Sequence, residues 1–463
     1  MMSPLVIVVL PLVAGALLFL LPRDDVRISK AAGAVVAAAL VVLTIAGRNE
    51  SWTWRWLTHP FVANLHFGAT YLSHWLLVLL ALCTFGAIVA TNVARTRSMV
   101  AALLLLEGTM AGLFLARDLL VFALFWDAML LPVFFVILSW GEHPSVAWRY
   151  FIYNFAGGLA LLLAVAGFGA VFGTTDVIGN STFNGAISPW APWILAGFAF
   201  AFLVKTPVWP LHTWMPATYA ATPAPMVAVV SAVQSKAGLY GFLAITLALF
   251  PSYLTAEVPV LVILGAISLL YGAFVALVQS DMKLVVAYSS LSHLGLIVVA
   301  IASRDPLALR GALVYIVAHG LFSAALFLVL GFIEEREETR SLGRLGGLGW
   351  TNPRLTGAFG IAALAALGLP GLAGFVGELI ILIGVYQGGY AWAAMLALVA
   401  IVTSAAYMLR LLQGATQGPE VPDLPVRRDL TWSEGVALAP LLFALLYFGV
   451  YPHALLASGW LHP

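Results

Sequence analysis

Two long apolar stretches each enclose a single lysine. Residues 193–209 read WILAGFAFAFLVKTPVW and contain Lys205, and residues 225–245 read PMVAVVSAVQSKAGLYGFLAI and contain Lys236. A charged side chain at the centre of a bilayer costs at least about 2.5–3.5 kcal/mol, and snorkelling to the interface removes that cost only near helix ends. The sequence therefore predicts two functional lysines at mid-depth in a membrane.

The composition of the whole chain supports a membrane location. The 463 residues are 62% hydrophobic and 9% charged, whereas soluble domains carry about 25% charged residues. Apolar runs of about 20 residues, which as helices cross roughly 30 Å of hydrocarbon, recur along the chain. We therefore predict an all-α polytopic membrane protein. The opening run, residues 4–21, is interpreted as a retained first helix because no positively charged segment precedes it.

The apolar runs predict about 14 transmembrane helices, judged by length and hydropathy. Their approximate spans are 4–22, 29–46, 71–93, 98–116, 118–140, 148–173, 191–206 with a broken continuation, 224–250, 258–279, 283–302, 306–333, 355–387 with an internal break, 391–413 and 433–452. Between the second and third spans, residues 47–70 are polar and rich in tryptophan, which favours the headgroup level. We expect an interfacial loop or hairpin there.

The distribution of Lys and Arg predicts the orientation, because cytoplasmic loops are enriched in these residues. Connections after odd-numbered helices hold fourteen of the 21, connections after even-numbered helices hold five, and Lys205 and Lys236 complete the set. We expect the odd-numbered connections to face the cytoplasm of a bacterial-type inner membrane. Both termini then lie on the outer, periplasmic side.

The seventh and twelfth predicted helices are interrupted in a similar way. Pro207 and Pro210 interrupt the seventh, and Pro370 with neighbouring glycines interrupts the twelfth, because proline removes a helix donor and clashes with the preceding turn. Two equivalent broken helices indicate inverted repeats, here helices 4–8 and 9–13. The predicted organisation is residues 1–97 with helices 1–3, 98–250 and 258–415 with the two five-helix repeats, and 416–463 with the last loop and helix 14.

Titratable residues lie inside several of the other apolar stretches. They are Glu107, Asp127, His293, His319 and Glu378. At 1.5 Å per residue, Glu107, Asp127 and Lys236 lie roughly 13–18 Å from a helix end, close to the midplane. We interpret the seven groups as a layer that transfers protons. Simple hydrogen bonding between helices stays open as an alternative, above all for Glu107 and His319.

A comparison of energies favours proton transfer. Opposite charges about 5 Å apart attract by about 3 kcal/mol at an effective dielectric near 20. Moving one charge against about 150 mV costs about 3.5 kcal/mol. Making or breaking one ion pair between Asp127 and Lys205 therefore has the right size to load or expel one proton.

The sequence argues against a redox or nucleotide site in this chain. The single cysteine, Cys83, cannot supply the four thiolates of an iron–sulfur cluster, and no Walker or Rossmann glycine pattern opens a helix. Two other classes stay open as alternatives. A haem-binding electron carrier would use His293 and His319 as axial ligands and show a Soret band, and a scaffold without transport would tolerate Lys236→Ala at full proton stoichiometry.

Six motifs in order carry a resemblance to a known family. They are RDLLVFALFWDAMLLP (117–132), FLVKTPVWPLHTWMPATYAATPAP (202–225), AVQSKAGLYG (232–241), DMKLVVAYSSLSHLG (281–295), AHGLFSAALF (318–327) and LPGLAGFVGELIIL (369–382). The chain resembles the antiporter-like membrane subunits of respiratory complex I, the proton-translocating NADH:quinone oxidoreductase. It is most similar to the M-type, or chain 4, subunits, because the L and N types have lysine at the position of Glu378.

The resemblance implies a role for each titratable group. Asp127 and Lys205 would form a control pair, Lys236 a central relay, and Glu378 the terminal group towards the outer half-channel. His293 and His319 would link the two halves, and Glu107 would support them. The family usually has glutamate where this chain has Asp127, so its ion pair with Lys205 would be weaker or bridged by water.

The resemblance also implies partners and cofactors. The other membrane subunits of complex I, especially the two further antiporter-like subunits, would be neighbours in the bilayer. NADH, FMN, iron–sulfur clusters and quinone would be bound by partner subunits and not by this chain. The nearest alternative within the family is a subunit of a multisubunit Na⁺/H⁺ antiporter or of a membrane-bound hydrogenase.

Overall fold

Helices make up most of the chain in a computed structural model, which describes residues 4–20, 25–46, 51–141, 143–178, 187–418 and 428–456. Within these ranges, eleven helices are long and apolar enough to cross a membrane, and three shorter helices are also apolar. The predicted all-α polytopic architecture is confirmed, with one small β-hairpin added. The exact number of membrane crossings, the inverted repeats and the division into four parts stay predictions.

The first part of the chain forms eight helices. They are α1 (Leu5–Leu20), α2 (Val26–Ala46), α3 (Tyr71–Ala90), α4 (Thr96–Leu115), α5 (Leu119–Ala128), α6 (Leu130–Trp140), α7 (Pro144–Phe172) and α8 (Ala191–Lys205). Helices α5 and α6 are separated only by Met129 and together form one apolar run, Leu119–Trp140. That run holds Asp127.

Short helical segments follow α8. They are α9 (Met215–Ala221), α10 (Ala224–Val229), α11 (Lys236–Gly241) and α12 (Leu247–Leu249). Two π-helical turns, Val230–Gln234 and Phe242–Thr246, join α10, α11 and α12 into one apolar span. Single π-helical turns inside α-helices occur often at functional sites. The first of these turns ends at Gln234, and α11 begins two residues later at Lys236.

The second part of the chain forms nine helices and one 3₁₀ turn, Leu342–Arg344. The helices are α13 (Leu254–Val278), α14 (Met282–Ser303), α15 (Pro306–Glu337), α16 (Leu348–Thr351), α17 (Pro353–Ala366), α18 (Ala373–Gln387), α19 (Ala391–Thr416), α20 (Trp432–Val450) and α21 (His453–Leu456). In α15, 94% of the most apolar window is buried inside the protein, against 28% in α2 and 33% in α19 and α20. Helix α15 is therefore a central element, and the others expose apolar side chains outward.

Both predicted helix breaks are present. Helix α8 ends at Lys205, and regular helix resumes only at Met215. The segment between them contains Pro207 and Pro210. Helix α17 ends at Ala366 and α18 begins at Ala373. In this second break Gly368 and Gly371 have φ of +80° and +95°, which glycine adopts without the steric cost of a side chain.

Residues 51–68 form a β-hairpin. Strands β1 (Ser51–Leu57) and β2 (Ala63–Gly68) are antiparallel, with Ser51 opposite Gly68 and an irregularity between Arg55 and Leu57. The prediction of a loop or hairpin is confirmed for this part, and residues 47–50 lie outside the described ranges. Its place at the membrane interface stays a prediction.

Connections that follow predicted helices of the same parity contact each other. Asp118, before α5, forms a bridge with Asp176, after α7, and both follow even-numbered predicted helices. Trp140, at the end of α6, donates its indole N–H to the carbonyl of Ala94 at 2.9 Å, and both follow odd-numbered helices. These contacts agree with a chain that crosses back and forth, as the hydropathy pattern predicts. Which set of connections faces the cytoplasm stays a prediction.

A group of polar residues, here called the clasp, ties the hairpin to the ends of α5 and α7. It consists of Asn64, His66, Asp118, Thr175 and Asp176. Asn64 donates to Asp118 through its backbone N–H (2.9 Å) and to Asp176 through its side chain (2.8 Å). His66 Nδ1 lies 2.7 Å from Asp176 Oδ1, and Thr175 donates to Asp118 at 2.9 Å. The clasp joins segments more than 50 residues apart in the chain.

We expect the clasp to make the hairpin more stable at neutral than at acid pH. Burial alone would raise the pKa of Asp176, but the hydrogen bonds from His66 and Asn64, together with the nearby Arg117 charge, outweigh it and hold that pKa below its ordinary value. A lowered acid pKa stabilises the fold above the unfolded value of about 3.9 and loses that contribution as pH falls through the folded pKa.

The matching measurement is hydrogen exchange of the hairpin amides in native protein and in Asp176→Ala. At pH 7 the variant should exchange about tenfold faster, since hydrogen bonds to a charged group contribute about 1.5 kcal/mol. The ratio of the two rates should fall as pH drops below about 4 and approach one only below the lowered folded pKa of Asp176. Thr58→Ala, at an exposed hairpin position, is the control. A rate ratio that does not change with pH would contradict this role of Asp176.

Candidate functional site

The seven titratable residues predicted from the sequence all lie in the described helices. Six of them are at most 4% exposed: Glu107, Lys205, Lys236, His293, His319 and Glu378. Asp127 is only half-buried. An unpaired polar group costs about 1–3 kcal/mol when it is buried, so the contacts of each group decide what it can do.

Lys236 is fully buried and makes three polar contacts. Its Nζ donates to the carbonyl of Ser231 at 2.6 Å and to Ser235 Oγ at 3.3 Å, and lies 2.7 Å from His319 Nδ1. The preceding π-helical turn explains the first contact. The Ser235 N–H reaches back five residues to Val230, so the Ser231 carbonyl is available to side chains. The three contacts satisfy the three donors of an ammonium group.

His319 is the next group beyond Lys236. Its imidazole lies beside that of His293, with ring centroids 5.6 Å apart and an interplanar angle of 64°. Phe322 packs against both imidazoles, and its ring centroid lies 5.3 Å from that of His293 and 5.1 Å from that of His319. No hydrogen bond joins the two imidazoles in the described structure. This is the single step between Lys236 and Glu378 that hydrogen bonds do not span.

Tyr315 connects His293 to Glu378 and is not among the residues predicted from the sequence. The phenolic oxygen lies 2.5 Å from His293 Nδ1 and 2.6 Å from Glu378 Oε1. The signal that could have found it is spacing. Tyr315 precedes His319 by four residues, and positions i and i+4 share one face of a helix.

Five side chains thus form a row, here called the buried chain. In order they are Lys236, His319, His293, Tyr315 and Glu378. They come from α11, α15, α14, again α15, and α18. Helix α15 supplies two of the five from the centre of the protein. The structure therefore brings four of the seven predicted residues into one connected group.

The break between α17 and α18 shapes the end of the buried chain. A Cβ atom at Gly368 would lie 2.1 Å from Glu378 Oε2, far inside van der Waals contact. Glycine is required at this position both by its positive φ and by this close approach. The broken backbone therefore packs directly against the carboxylate of Glu378.

Asp127 and Lys205 lie near each other without a direct ion pair. No oxygen of Asp127 lies within 4.0 Å of Lys205 Nζ in the described structure, although the two charges interact electrostatically. Lys205 Nζ instead lies 5.1 Å from the centroid of the Trp126 ring, a cation–π distance. The shorter side chain of aspartate is consistent with this separation.

Glu107 is not part of either group. It lies in α4, is 1% exposed, and neither carboxylate oxygen has a hydrogen-bond partner among the described residues. The structure does not connect Glu107 to the buried chain. Its supporting role stays a prediction.

Two broken helices, buried lysines and a row of titratable side chains define a helical membrane transport protein of the antiporter-like class. Residues 116–404 match the family of the transmembrane region of NADH:quinone oxidoreductases and Mrp antiporters. The chain belongs to this family.

Similar proteins include NADH-quinone oxidoreductase subunit M of Rhodobacter capsulatus, with 34% identity over 77% of this chain and 73% of the relative. A chain 4 protein of NAD(P)H-quinone oxidoreductase from Trichormus variabilis is 31% identical over 96% of this chain and 88% of the relative. Among solved structures, a chain of respiratory complex I from Thermus thermophilus superposes with a TM-score of 0.89 at 31% identity, covering 99% of this chain and 98% of that one.

The fold is shared more widely than the oxidoreductases. A chain of the Mrp complex from Dietzia sp. superposes with a TM-score of 0.87 at 21% identity, over 99% of this chain and 97% of that one. At this level of identity the likeness concerns the fold alone. Fold by itself therefore does not separate proton pumping driven by redox chemistry from cation antiport.

Proposed function

We propose that the chain is the M-type proton-translocating membrane subunit of a NADH:quinone oxidoreductase. The observation that carries this proposal is the buried chain from Lys236 to Glu378. The relatives named as subunit M support the assignment to this enzyme. The chain then contributes to the enzyme as a proton path and performs none of its redox chemistry.

Lys236 holds the proton at the start of the buried chain. As an ammonium it donates to His319 Nδ1 across 2.7 Å, so the same contact serves for holding and for passing the proton. From His319 the proton crosses to His293 and continues to Glu378. Glu378 lies directly behind a helix break, where backbone away from regular helix is tolerated only beside protein or a wet cavity, and it discharges the proton to the outer side.

Asp127 and Lys205 control the loading of Lys236. Redox chemistry in partner subunits shifts charges next to Asp127, which is the half-buried member of the seven. Opposite charges on Asp127 and Lys205 about 5 Å apart attract by about 3 kcal/mol, so making or breaking this pair altogether supplies close to the roughly 3.5 kcal/mol needed against 150 mV. The positive charge on Lys205 then sets how readily Lys236 keeps its own proton.

The remaining parts of the assembly follow from this assignment. NADH, FMN, iron–sulfur clusters and quinone belong to partner subunits, and two further antiporter-like subunits lie beside this chain in the bilayer. The apolar side chains on the outside of α6 and α7, such as Phe135 and Leu163, are exposed and fit lipid or neighbouring subunits. Fourteen of the 21 basic residues in odd-numbered connections support a bacterial inner membrane with both termini outside.

The experiment that tests the proposal is proton transport by the complete enzyme in sealed vesicles supplied with NADH. Internal acidification is followed with a pH-sensitive dye in sodium-free buffer, and again with sodium and a sodium ionophore. We expect equal numbers of protons moved per NADH under both conditions. A requirement for sodium, or acidification that the sodium ionophore abolishes, would overturn proton pumping in favour of Na⁺/H⁺ antiport.

The contact between Asp127 and α7 gives a further prediction. A Cβ atom at Gly158 would lie 1.9 Å from Asp127 Oδ1, so Gly158→Ala should displace the carboxylate. A loss of about 1 kcal/mol in the attraction to Lys205 would lower the pumping rate about fivefold. We expect a stability loss of about 1–3 kcal/mol from overpacking.

Gly167→Ala is the matched control for Gly158→Ala. Gly167 lies on the same helix, and a Cβ there would meet only Ile194, at an ordinary 3.6 Å. Proton transport per NADH is measured in vesicles at equal amounts of assembled enzyme. Equal pumping by the two alanine variants would mean that the position of Asp127 does not control transport.

A further inference from the structure

The hydroxyl of Tyr315 is the only described polar connection between His293 and Glu378. In the part of the chain that the structure describes, neither of these side chains has another hydrogen-bond partner. Tyr315 itself is fully buried on α15. His293 lies on α14 and Glu378 on α18. Removal of the Tyr315 hydroxyl oxygen would therefore break the hydrogen-bonded connection between these two side chains.

We infer that Tyr315 relays the proton from His293 to Glu378, an inference that rests on the proposed function. A phenol has one hydrogen to donate and lone pairs to accept, so it can take a proton on one side as it gives one on the other. The separations of 2.5 and 2.6 Å are at the short end of hydrogen bonds that involve a hydroxyl. The transfer from His293 to Tyr315 and the transfer from Tyr315 to Glu378 therefore both begin from hydrogen bonds that are already present.

The relay balances without any electron transfer. The N–H bond at His293 Nδ1 of the imidazolium breaks, and its proton forms a new O–H bond on the phenolic oxygen. The original O–H bond of Tyr315 breaks at the same time, and that proton forms an O–H bond on Glu378 Oε1. The products are a neutral imidazole, a neutral phenol and a neutral carboxylic acid. After Glu378 discharges, the phenolic hydrogen rotates back towards the carboxylate, and His293 exchanges its remaining N–H from Nε2 to Nδ1, which together restore the starting arrangement.

Tyr315→Phe tests the relay, because it removes the oxygen and keeps the ring. Proton transport per NADH is measured in vesicles of the complete enzyme, with Lys236→Met as the reference for a fully blocked path. We expect Tyr315→Phe to fall to the value of the reference. Tyr240→Phe is the matched control, since it removes a buried hydroxyl that donates to the Phe114 carbonyl at 3.1 Å and is not part of the buried chain, and we expect native transport from it.

The outcomes separate the relay from the proposed function. Loss in Lys236→Met with native transport in Tyr315→Phe would overturn the relay alone. Native transport in Lys236→Met would overturn the proposed function. Loss in both, with Tyr240→Phe unchanged, supports the relay.

A second measurement tests the relay if the enzyme with Tyr315→Phe does not assemble. Site-specific replacement of Tyr315 by a ring-fluorinated tyrosine keeps the shape and the hydroxyl but makes the phenol more acidic. A relay predicts that the pH profile of proton transport shifts towards acid, whereas the same replacement at Tyr240 leaves it in place. An unchanged profile at Tyr315 would overturn the relay, because a purely structural hydroxyl does not depend on phenol acidity.

Discussion

Lys236→Met is expected to abolish the proton transport that passes through this chain while the enzyme still assembles. Methionine keeps an unbranched side chain one atom shorter than lysine, and it removes the charge and the three donors to Ser231, Ser235 and His319. Loss of a positioned proton-transfer group lowers rates by about 10²–10⁴-fold. The substitution loses three hydrogen bonds but also removes the cost of burying a charge, so the enzyme should still assemble.

The measurement is protons moved per NADH oxidised, together with the amount of assembled enzyme. Lys283→Met is the matched control, because Lys283 is also buried and bonds Glu334 at 2.6 Å but lies outside the buried chain. We expect a native ratio of protons to NADH from this control. A native ratio in Lys236→Met would show that the buried lysine is structural.

The second large effect is expected for Glu378→Gln. The amide oxygen of glutamine still accepts the hydrogen bond from Tyr315, so the packing around the helix break should survive. The amide cannot take up a proton, and transport through the chain should fall as far as in Lys236→Met. Glu378→Asp keeps a titratable group but shortens the reach by about 1.5 Å, one carbon–carbon bond, and should transport at an intermediate rate.

Glu335→Gln serves as the control for loss of a carboxylate. Glu335 lies near the end of α15 at an exposed position and bonds Asn92, away from the buried chain. Native transport is expected from it. If Glu378→Gln also transported at the native ratio, the outer end of the path would have to lie at another residue.

The fold and most of the site could be predicted because they depend on local properties of the sequence. Apolar length gives the helices, and prolines locate the breaks after Lys205 and before Glu378. An ionisable residue inside an apolar run is visible wherever it occurs. These signals need no knowledge of how the helices pack.

The missing parts of the site depend on how distant helices face one another. Tyr315 surrounded by apolar residues reads as an ordinary core tyrosine, and only its contacts with His293 and Glu378, 22 and 63 positions away, reveal its position. The sequence likewise suggested an ion pair between Asp127 and Lys205, whereas in the structure the ammonium of Lys205 lies over the ring of Trp126. Rotation of each helix about its axis decides such contacts.

Helix α15 contributes both His319 and Tyr315, one turn apart, and through them it touches the groups on either side. Turning α15 about its axis would carry both residues away together, by about 100° for a shift of one residue. The contacts to Lys236 and to Glu378 would then open in the same movement. Helix α15 therefore couples the two contacts, because a rotation of this helix cannot open one of them and leave the other in place.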